Sequence, residues 1–375
     1  MGLNEQEPAG SALGTIHSRL REAAARDPHP DWRSRDARLT ALERLIRDNQ
    51  PAIAEAIRGD FGNRSLHETQ LLEIFPSLEG IRYTRHHLKS WMRPERRHVS
   101  LWFMPGRARV LHQPLGVVGV IVPWNYPLYL AVGPLTAALA AGNRAMVKMS
   151  EYTPAMSALF ARLAEKYFAA DEVAVVQGDA EVAQAFARLP FGHLLFTGST
   201  QVGYSVMRAA AENLTPVTLE LGGKSPAILG PDYPLETFAE RVVVGKTMNA
   251  GQTCIAPDYV LVPAGQEHAF IAAAQKEVNA CYPDILRTPD YSSIVSERHY
   301  RRLLGLVEDA RGQGAEAVPL SAAAHPDAAT RRIPPVALLN VSPDMQAMQE
   351  EIFGPVLPVV PYRDLDEAIR YVNAR

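Results

Sequence analysis

Between Leu115 and Leu221 short apolar runs alternate with stretches of helical spacing, and that alternation restricts the chain to one broad architecture. Val117–Val122, Arg144–Lys148, Val173–Val176, His193–Phe196 and Val217–Leu221 read as strands, with helices expected near Pro127–Ala141, Pro154–Phe168, Ala180–Leu189 and Gln201–Ala211. Strands that are apolar throughout are buried on both faces, and helical crossovers between them make neighbours parallel. The expected fold is therefore α/β, with a doubly wound parallel-sheet domain. Ligands in such sheets bind beyond the carboxyl ends of the strands. Pro123, Lys148, Gly178, Gly198 and Glu220 fall at those ends. The longest apolar run, Leu115–Met146, is broken by Pro123, Asn125, Pro127 and Pro134, so it suits a buried strand, loop and helix rather than a membrane span.

A second α/β unit is expected from about Gly222. It holds a helix at Leu235–Asn249, a strand at Asp258–Val262, helices at Glu267–Asn279 and Tyr300–Ala310, and strands near Ala317–Leu320, Val336–Leu339 and Val356–Val360. The last helix, Leu365–Asn373, has no strand after it, so this domain reads as incomplete at the C-terminus. Ahead of the sheet the first residues read as poorly ordered and become helical around His17–Ala25. Leu39, Leu42, Leu45, Ile46, Ile53 and Ile57 then recur at helical spacing, followed by a second helical hairpin through Leu71–Leu78. Eight Lys or Arg and one acid, Glu95, lie between Arg82 and Arg109. Few aromatics accompany them and no nucleic-acid motif contains them, so they read as a solvated helix face running into a hairpin. Its strands are expected near His98–Phe103 and Arg107–Gln113, turned at Pro105-Gly106. The expected division is 1–97 with 115–221, a hairpin at 98–114, and 222–375.

Cys254 is one of two cysteines in 375 residues, and it lies in a polar connection, Asn249–Ala256, between a helix and a strand. A lone cysteine is more often an inert small hydrophobe than a nucleophile. Its company changes the reading: Glu220, in Leu219–Pro226, supplies a carboxylate base, and Asn125, in Pro123–Pro127, an amide donor. Thiol, base and amide are the parts needed for acyl chemistry at a carbonyl. The Gly198–Gly203 turn sits between a strand and a helix, where backbone N–H groups can hold a pyrophosphate; it lacks G-x-G-x-x-G and alone reads equally as an N-cap. Gly222-Gly223-Lys224-Ser225 is not a P-loop, because the first glycine of that pattern would fall at Thr218. The eleven histidines show no metal-ligand spacing and Cys281 belongs to no Cys-x-x-Cys pair, so no metal is expected.

Six motifs in order carry a resemblance over nearly the whole chain: P-W-N-Y-P at 123–127, V-K-M-S-E at 147–151, F-T-G-S-T-Q-V-G at 196–203, L-E-L-G-G-K-S-P at 219–226, G-Q-T-C-I-A-P-D-Y at 251–259 and E-E-I-F-G-P at 350–355. The chain resembles the aldehyde dehydrogenase family, and within it the class 3 and coniferyl aldehyde dehydrogenase branch. The resemblance implies NAD(P)-dependent oxidation of an aromatic or medium-chain aldehyde to its acid through a Cys254 thiohemiacetal and thioester. Cys254, Glu220 and Asn125 would be catalytic. It gives the cofactor Pro123, Trp124, Lys148, Glu151, Gly178, Gly198, Ser199, Thr200, Val202, Gly203, Leu221, Glu351 and Phe353. Tyr126, Tyr129 and Leu130 would line the aldehyde pocket. Glu151, placed to repel a 2′-phosphate, favours NAD, with NADP possible.

The hairpin is implied to be an oligomerisation arm of a homodimer. The alternatives are a coenzyme-A-acylating relative, against which Glu220 argues because that branch commonly lacks it, and a truncated, non-catalytic nucleotide-binding homologue. The family pattern runs on for several dozen residues past Arg375, so the chain is expected to be truncated. A net charge of −3 favours neither nucleic acid nor membrane, and two cysteines suit a reducing compartment. With no leader pattern at Met1–Gln6, the cytoplasm is the expected location.

Overall fold

Each apolar run between Val117 and Leu221 becomes a strand of one parallel sheet in the computed structural model, which describes residues 9–323 and 325–375. Two further strands, β1 (Glu95–Arg97) and β2 (Ala108–Val110), precede it. The sheet itself comprises β3 (Val117–Ile121), β4 (Arg144–Lys148), β5 (Val173–Val176), β6 (His193–Gly198) and β7 (Val217–Leu221), in the order β5-β4-β3-β6-β7. The chain winds outward through β4 and β5, then returns to the other side of β3 through β6 and β7. Right-handed crossovers place the Tyr129–Ala140 and Pro154–Tyr167 helices on one face and the Ala180–Ala187 and Thr200–Ala211 helices on the other. The reversal of order falls between β3 and β6, where a crevice opens at the carboxyl ends.

β3 is buried along its whole length, as its unbroken apolar character requires, and β4 is buried likewise although Arg144 and Lys148 stand at its two ends. Leu13 and Leu20, from a helix at Ala9–Arg26, pack with Met146, Phe186, Phe191 and Val206 against one face of the sheet. Gly119 is required inside β3, because a Cβ there would lie 2.7 Å from the Phe191 ring. The expected disorder of the chain's start concerns residues 1–8, which lie outside the described residues.

The hairpin forms with a different register from the one expected. β1 pairs antiparallel with β2, Arg96 opposite Arg109, so the first strand lies before His98 and not at His98–Phe103. Leu101–Phe103 instead forms a 3₁₀ turn, with the Phe103 N–H on Ser100 O and the Met104 N–H on Leu101 O. Val99, Trp102 and Phe103 have strand propensity, but no neighbouring strand offers them a ladder, and local i→i+3 bonds satisfy the backbone instead. Trp102 is left 90 % exposed.

The chain divides into two compact units: the chain up to Ile57 with Gln70–Leu221, and Arg58–Thr69 with Gly222–Arg375. The second contains β8 (Pro226–Ile228), β9 (Tyr259–Pro263), β10 (Glu316–Pro319), β11 (Val336–Leu339) and β12 (Val356–Tyr362), ordered β10-β11-β12-β9-β8. Only the β10–β11 pair is antiparallel. Alternation along β9 serves two cores. Val260 and Val262 join Phe238, Val242 and Phe270, while Tyr259 and Leu261 join Tyr362 and Ala368 of the Leu365–Asn373 helix. The Arg58–Thr69 segment is tied in by polar contacts: Asn63 Nδ2 donates to Tyr291 O at 2.9 Å, and Arg331 Nη2 to Phe61 O at 2.9 Å.

Candidate active site

In the first unit the strand register gathers the expected cofactor residues along one edge of the sheet. Ile121 pairs with Lys148 and Phe196, Lys148 with Val176, and Gly198 with Leu221. The residues that follow each strand, among them Pro123, Trp124, Glu151 and Gly178, therefore share the carboxyl edge with Gly198–Gly203 and Glu220. Ser199 caps the Thr200–Ala211 helix, its Oγ accepting the Val202 N–H, so the turn presents the positive end of a twelve-residue helix. Gly203 packs so closely on Leu221 that a Cβ would lie 2.9 Å from it, and Gly178 at φ +143 leaves no room beside Val182. Lys148 is buried, donates to Met149 O at 2.7 Å and stands 3.7 Å from Glu151. Burial lowers its pKa, partly offset by Glu151. A glycine-lined turn at a helix N-terminus, beside a buried lysine paired to a surface carboxylate, fits a dinucleotide.

Asn125 follows β3 and is buried. The helix behind it, Tyr129–Ala140, has no side-chain cap of its own. Glu73, from a π turn at Gln70–Ile74, supplies one: its Oε2 accepts the N–H groups of Leu128 and Tyr129 at 2.8 and 3.2 Å. Tyr126 is buried, Leu130 half-buried, and Tyr129 exposed at one side of a cavity of about 750 Å³ within this unit.

In the second unit the helix leading to Cys254 stops at Thr247, two residues earlier than expected. Asn249, Ala250 and Gly251 follow with φ of 50°, 51° and 75°. Two non-glycine residues in the left-handed region cost about 1–3 kcal/mol each, so the turn must be held from outside. Glu68 accepts the Asn249 N–H at 2.9 Å, and Gln252 Nε2 donates to Asn249 O and Ser293 O at 2.8 and 3.1 Å. Gln252 Oε1 accepts the Val295 N–H at 3.0 Å. A Cβ on Gly251 would sit 2.5 Å from Gly354 O, which brings the cysteine loop against the Glu350–Pro355 loop. Beyond this rigid turn Cys254 is half-buried in a bend, its carbonyl accepting Ser225 Oγ at 3.3 Å.

Glu351 and Phe353 belong to the same cluster. Glu351 Oε2 occupies the space a Gly222 side chain would need. Lys224 forms an ion pair with Asp258 and donates to Ala347 O at 2.6 Å and Glu350 O at 2.9 Å; Asp258 Oδ1 in turn accepts the Ile352 N–H at 2.8 Å. Arg302 donates to the carbonyls of Glu351 and Ile352. Burial, then repulsion from Asp258, pushes the Glu351 carboxyl up to about 7, against the Gly223 N–H, Arg302 and Lys224. Phe353 has φ 51°, a further left-handed residue in this loop. Sequence reasoning missed Glu68, Gln252, Asp258 and Arg302 as supports. Ser65-x-x-Glu68 carried a helix-start signal, but nothing local linked it to Asn249, 181 residues away.

Lys246, at the end of the same helix, is 2 % exposed. Burial lowers its pKa to about 8; Lys224 adds to the shift, while Asp258 and Glu351 oppose it. Because the folded value lies below the ordinary 10.5, its contribution to stability is complete above pH 10.5 and is lost as pH falls through 8. Lys246→Met is therefore expected to stabilise the fold at pH 7 by roughly 2 kcal/mol and much less at pH 10. Urea denaturation at both pH values measures this, and an equal effect at both would rule out the charge as the cause.

The aldehyde dehydrogenase family model matches residues 17–375. A probable coniferyl aldehyde dehydrogenase of Pseudomonas aeruginosa is 53 % identical over 373 residues, an alignment covering 100 % of this chain and 78 % of that protein. The coniferyl aldehyde dehydrogenase of a Pseudomonas species is 46 % identical over 377 residues, with the same coverage. Among solved structures, Staphylococcus aureus AldH in a substrate-bound state superposes with a TM-score of 0.91 at 37 % identity, covering 96 % of this chain and 78 % of that one. A Mycobacterium tuberculosis aldehyde dehydrogenase complexed with NAD⁺ has a TM-score of 0.85 at 30 % identity, covering 97 % and 76 %.

Proposed function

The chain belongs to the aldehyde dehydrogenase family, and from that membership we propose how its residues oxidise an aldehyde to a carboxylic acid with NAD(P). The Cys254 thiolate attacks the aldehyde carbon. The side-chain amide of Asn125 and the backbone N–H of Cys254 stabilise the oxyanion that forms, where such donors contribute most. NAD, when bound, supplies the hydride acceptor that turns the thiohemiacetal into a thioester. Glu220 then takes a proton from water, the hydroxide adds to the thioester carbonyl, and the acid leaves as the Cys254 thiolate returns. Gly198–Gly203 with Ser199 and Thr200 hold the pyrophosphate, Lys148 and Glu151 the adenosine ribose, and Glu351 and Phe353 the nicotinamide half.

The observation that carries this reading is the half-buried Cys254, presented by a fixed left-handed turn that abuts the Glu350–Pro355 loop. The substrate is an aromatic or medium-chain apolar aldehyde of the coniferyl aldehyde kind, supported by the names of the relatives at 46–53 % identity. Tyr126, Tyr129 and Leu130 line its pocket. We read the protein as a cytoplasmic homodimer, with the exposed Leu101–Met104 tip of the hairpin as the surface for a second copy. No helix among the described residues is long and apolar enough to cross a membrane. Aldehyde-dependent NADH formation with coniferyl aldehyde, together with identification of the free acid, tests the function; failure to form either would overturn it.

Two expectations concern the cofactor. Glu351 accepts hydrogen bonds from ribose hydroxyls best when ionised, and its carboxyl titrates near 7 in the free protein. Below that pH it is protonated, so NAD affinity is expected to rise between pH 6 and 8 and to lose this dependence in Glu351→Gln. Fluorescence titration at several pH values checks it, and a flat wild-type profile would dismiss the role. Glu151 is exposed beside the buried Lys148. Glu151→Thr is expected to raise the NADP-to-NAD ratio of kcat/KM by about 5- to 10-fold, since it removes a like charge facing a 2′-phosphate. An unchanged ratio would mean that Glu151 does not face the ribose.

A further inference from the structure

The cavity between the Phe75–Trp91 and Tyr129–Ala140 helices lies wholly within the first unit and has a volume of about 750 Å³, ample for a drug-sized molecule. Leu88, Trp91, Leu111 and Val132 give it largely apolar walls, interrupted by Ser77, Thr84, Gln113 and Thr136. Arg35 also lines it and is 5 % exposed. Two backbone carbonyls hold that guanidinium: Nε donates to Pro30 O at 2.9 Å and Nη1 to Ala140 O at 3.1 Å. Among the described residues no carboxylate forms an ion pair with it, and Asp27 attracts it only from farther away. The neighbouring acids are already engaged, Glu172 and Asp27 by Arg38 and Arg144, leaving three arginines on two carboxylates. Glu95, the one acid lining the cavity, is held by Arg97 at 2.5 Å and faces His112 at 3.3 Å. His29 and His112 also line it.

A buried cation attracted only by Asp27, a carboxylate that Arg38 and Arg144 already share, at a largely apolar cavity, suits a ligand that brings one negative charge on a hydrocarbon body. We propose that this cavity binds an amphipathic monocarboxylate, its acid group on Arg35 and its apolar body along Leu88, Trp91 and Val132. Such acids have two sources, the product class of the proposed reaction and free fatty acids; naming the first rests on that reaction, whereas the site does not. The cavity shares Tyr129 with the expected aldehyde pocket but neither Tyr126 nor Leu130, so it adjoins that pocket without coinciding with it.

Calorimetric titration of the 375-residue chain with trans-cinnamate, octanoate and neutral cinnamamide tests the site. Binding of either acid without binding of the amide is expected, cinnamate leading if the product class is the source and octanoate if fatty acids are. Arg35→Gln should weaken acid binding at least about 10-fold. Arg35 also bonds the backbone, so a second variant guards against misfolding. Gly133 lines the cavity and has open space where a Cβ would stand, so Gly133→Leu fills the site without touching Arg35 and should weaken binding similarly. Acid binding should survive Cys254→Ala. Equal binding of acid and amide, acid affinity unchanged in both cavity variants, or loss of binding in Cys254→Ala would each overturn the proposal. A protein that oxidises aldehydes yet fails these titrations loses this site and keeps its reaction. One that binds acid through Arg35 but oxidises nothing keeps the site and loses the reaction.

Discussion

Cys254→Ala is expected to lower aldehyde-dependent NADH formation by at least about 10⁴-fold, equivalent to roughly 5.5 kcal/mol of transition-state stabilisation, while NAD binding persists. Alanine removes the only atom that can carry the acyl group and leaves the turn intact. That turn is held by Glu68, Gln252 and the close approach of Gly251 to Gly354, none of which involves the sulfur. Cys281 gives the control. It is exposed, it donates to Glu277 at 3.3 Å, and burial together with Glu277 raises its pKa, so it is a poor thiolate. Iodoacetamide should label Cys254 first, and Cys281→Ala should leave the rate unchanged. Activity retained in Cys254→Ala, or lost in Cys281→Ala alone, would reassign the nucleophile.

The sheet was legible because its physics is local. Val117–Ile121 and Val173–Val176 are apolar without alternation and buried along their length, and the other three runs, though Arg144, Lys148, His193, Thr218 and Glu220 interrupt them, also become strands of the one parallel sheet. The carboxyl-edge placement of Lys148, Gly198 and Glu220 follows from that pattern alone. What could not be read depends on contacts distant in sequence. Nothing in Asn249-Ala250 announces left-handed backbone, and Ala250 in particular has no side-chain reason to adopt it; the bonds that hold it come from Glu68 and Ser293. Glu351 against Gly222 is a contact across 129 positions, and the shifted hairpin register reflects which backbone groups found partners, not which residues favour strands. Nothing in the sequence singles out Arg35, and only the fold shows it buried at a cavity wall with its guanidinium on the Pro30 and Ala140 carbonyls.

Glu220→Gln should separate the two halves of the reaction. Glu220 is the fourth residue of β7, an edge strand of the parallel sheet, and its side chain is exposed. Glutamine keeps the shape and the hydrogen-bonding reach but cannot accept a proton from water. Attack by Cys254 and departure of the hydride do not need that base, whereas hydrolysis of the thioester does. The expected record is a rapid burst of about one NADH per competent site, followed by a steady state about 10²- to 10³-fold below wild type. Acid quenching during the steady state should trap acyl-enzyme on the Cys254 peptide, detectable as added mass. The same variant discriminates the coenzyme-A-acylating reading, in which a thiol and not water resolves the thioester and the carboxylate is dispensable. Full turnover in Glu220→Gln with acyl-CoA as product would establish that reading. An unchanged steady state with free acid would remove Glu220 from the mechanism.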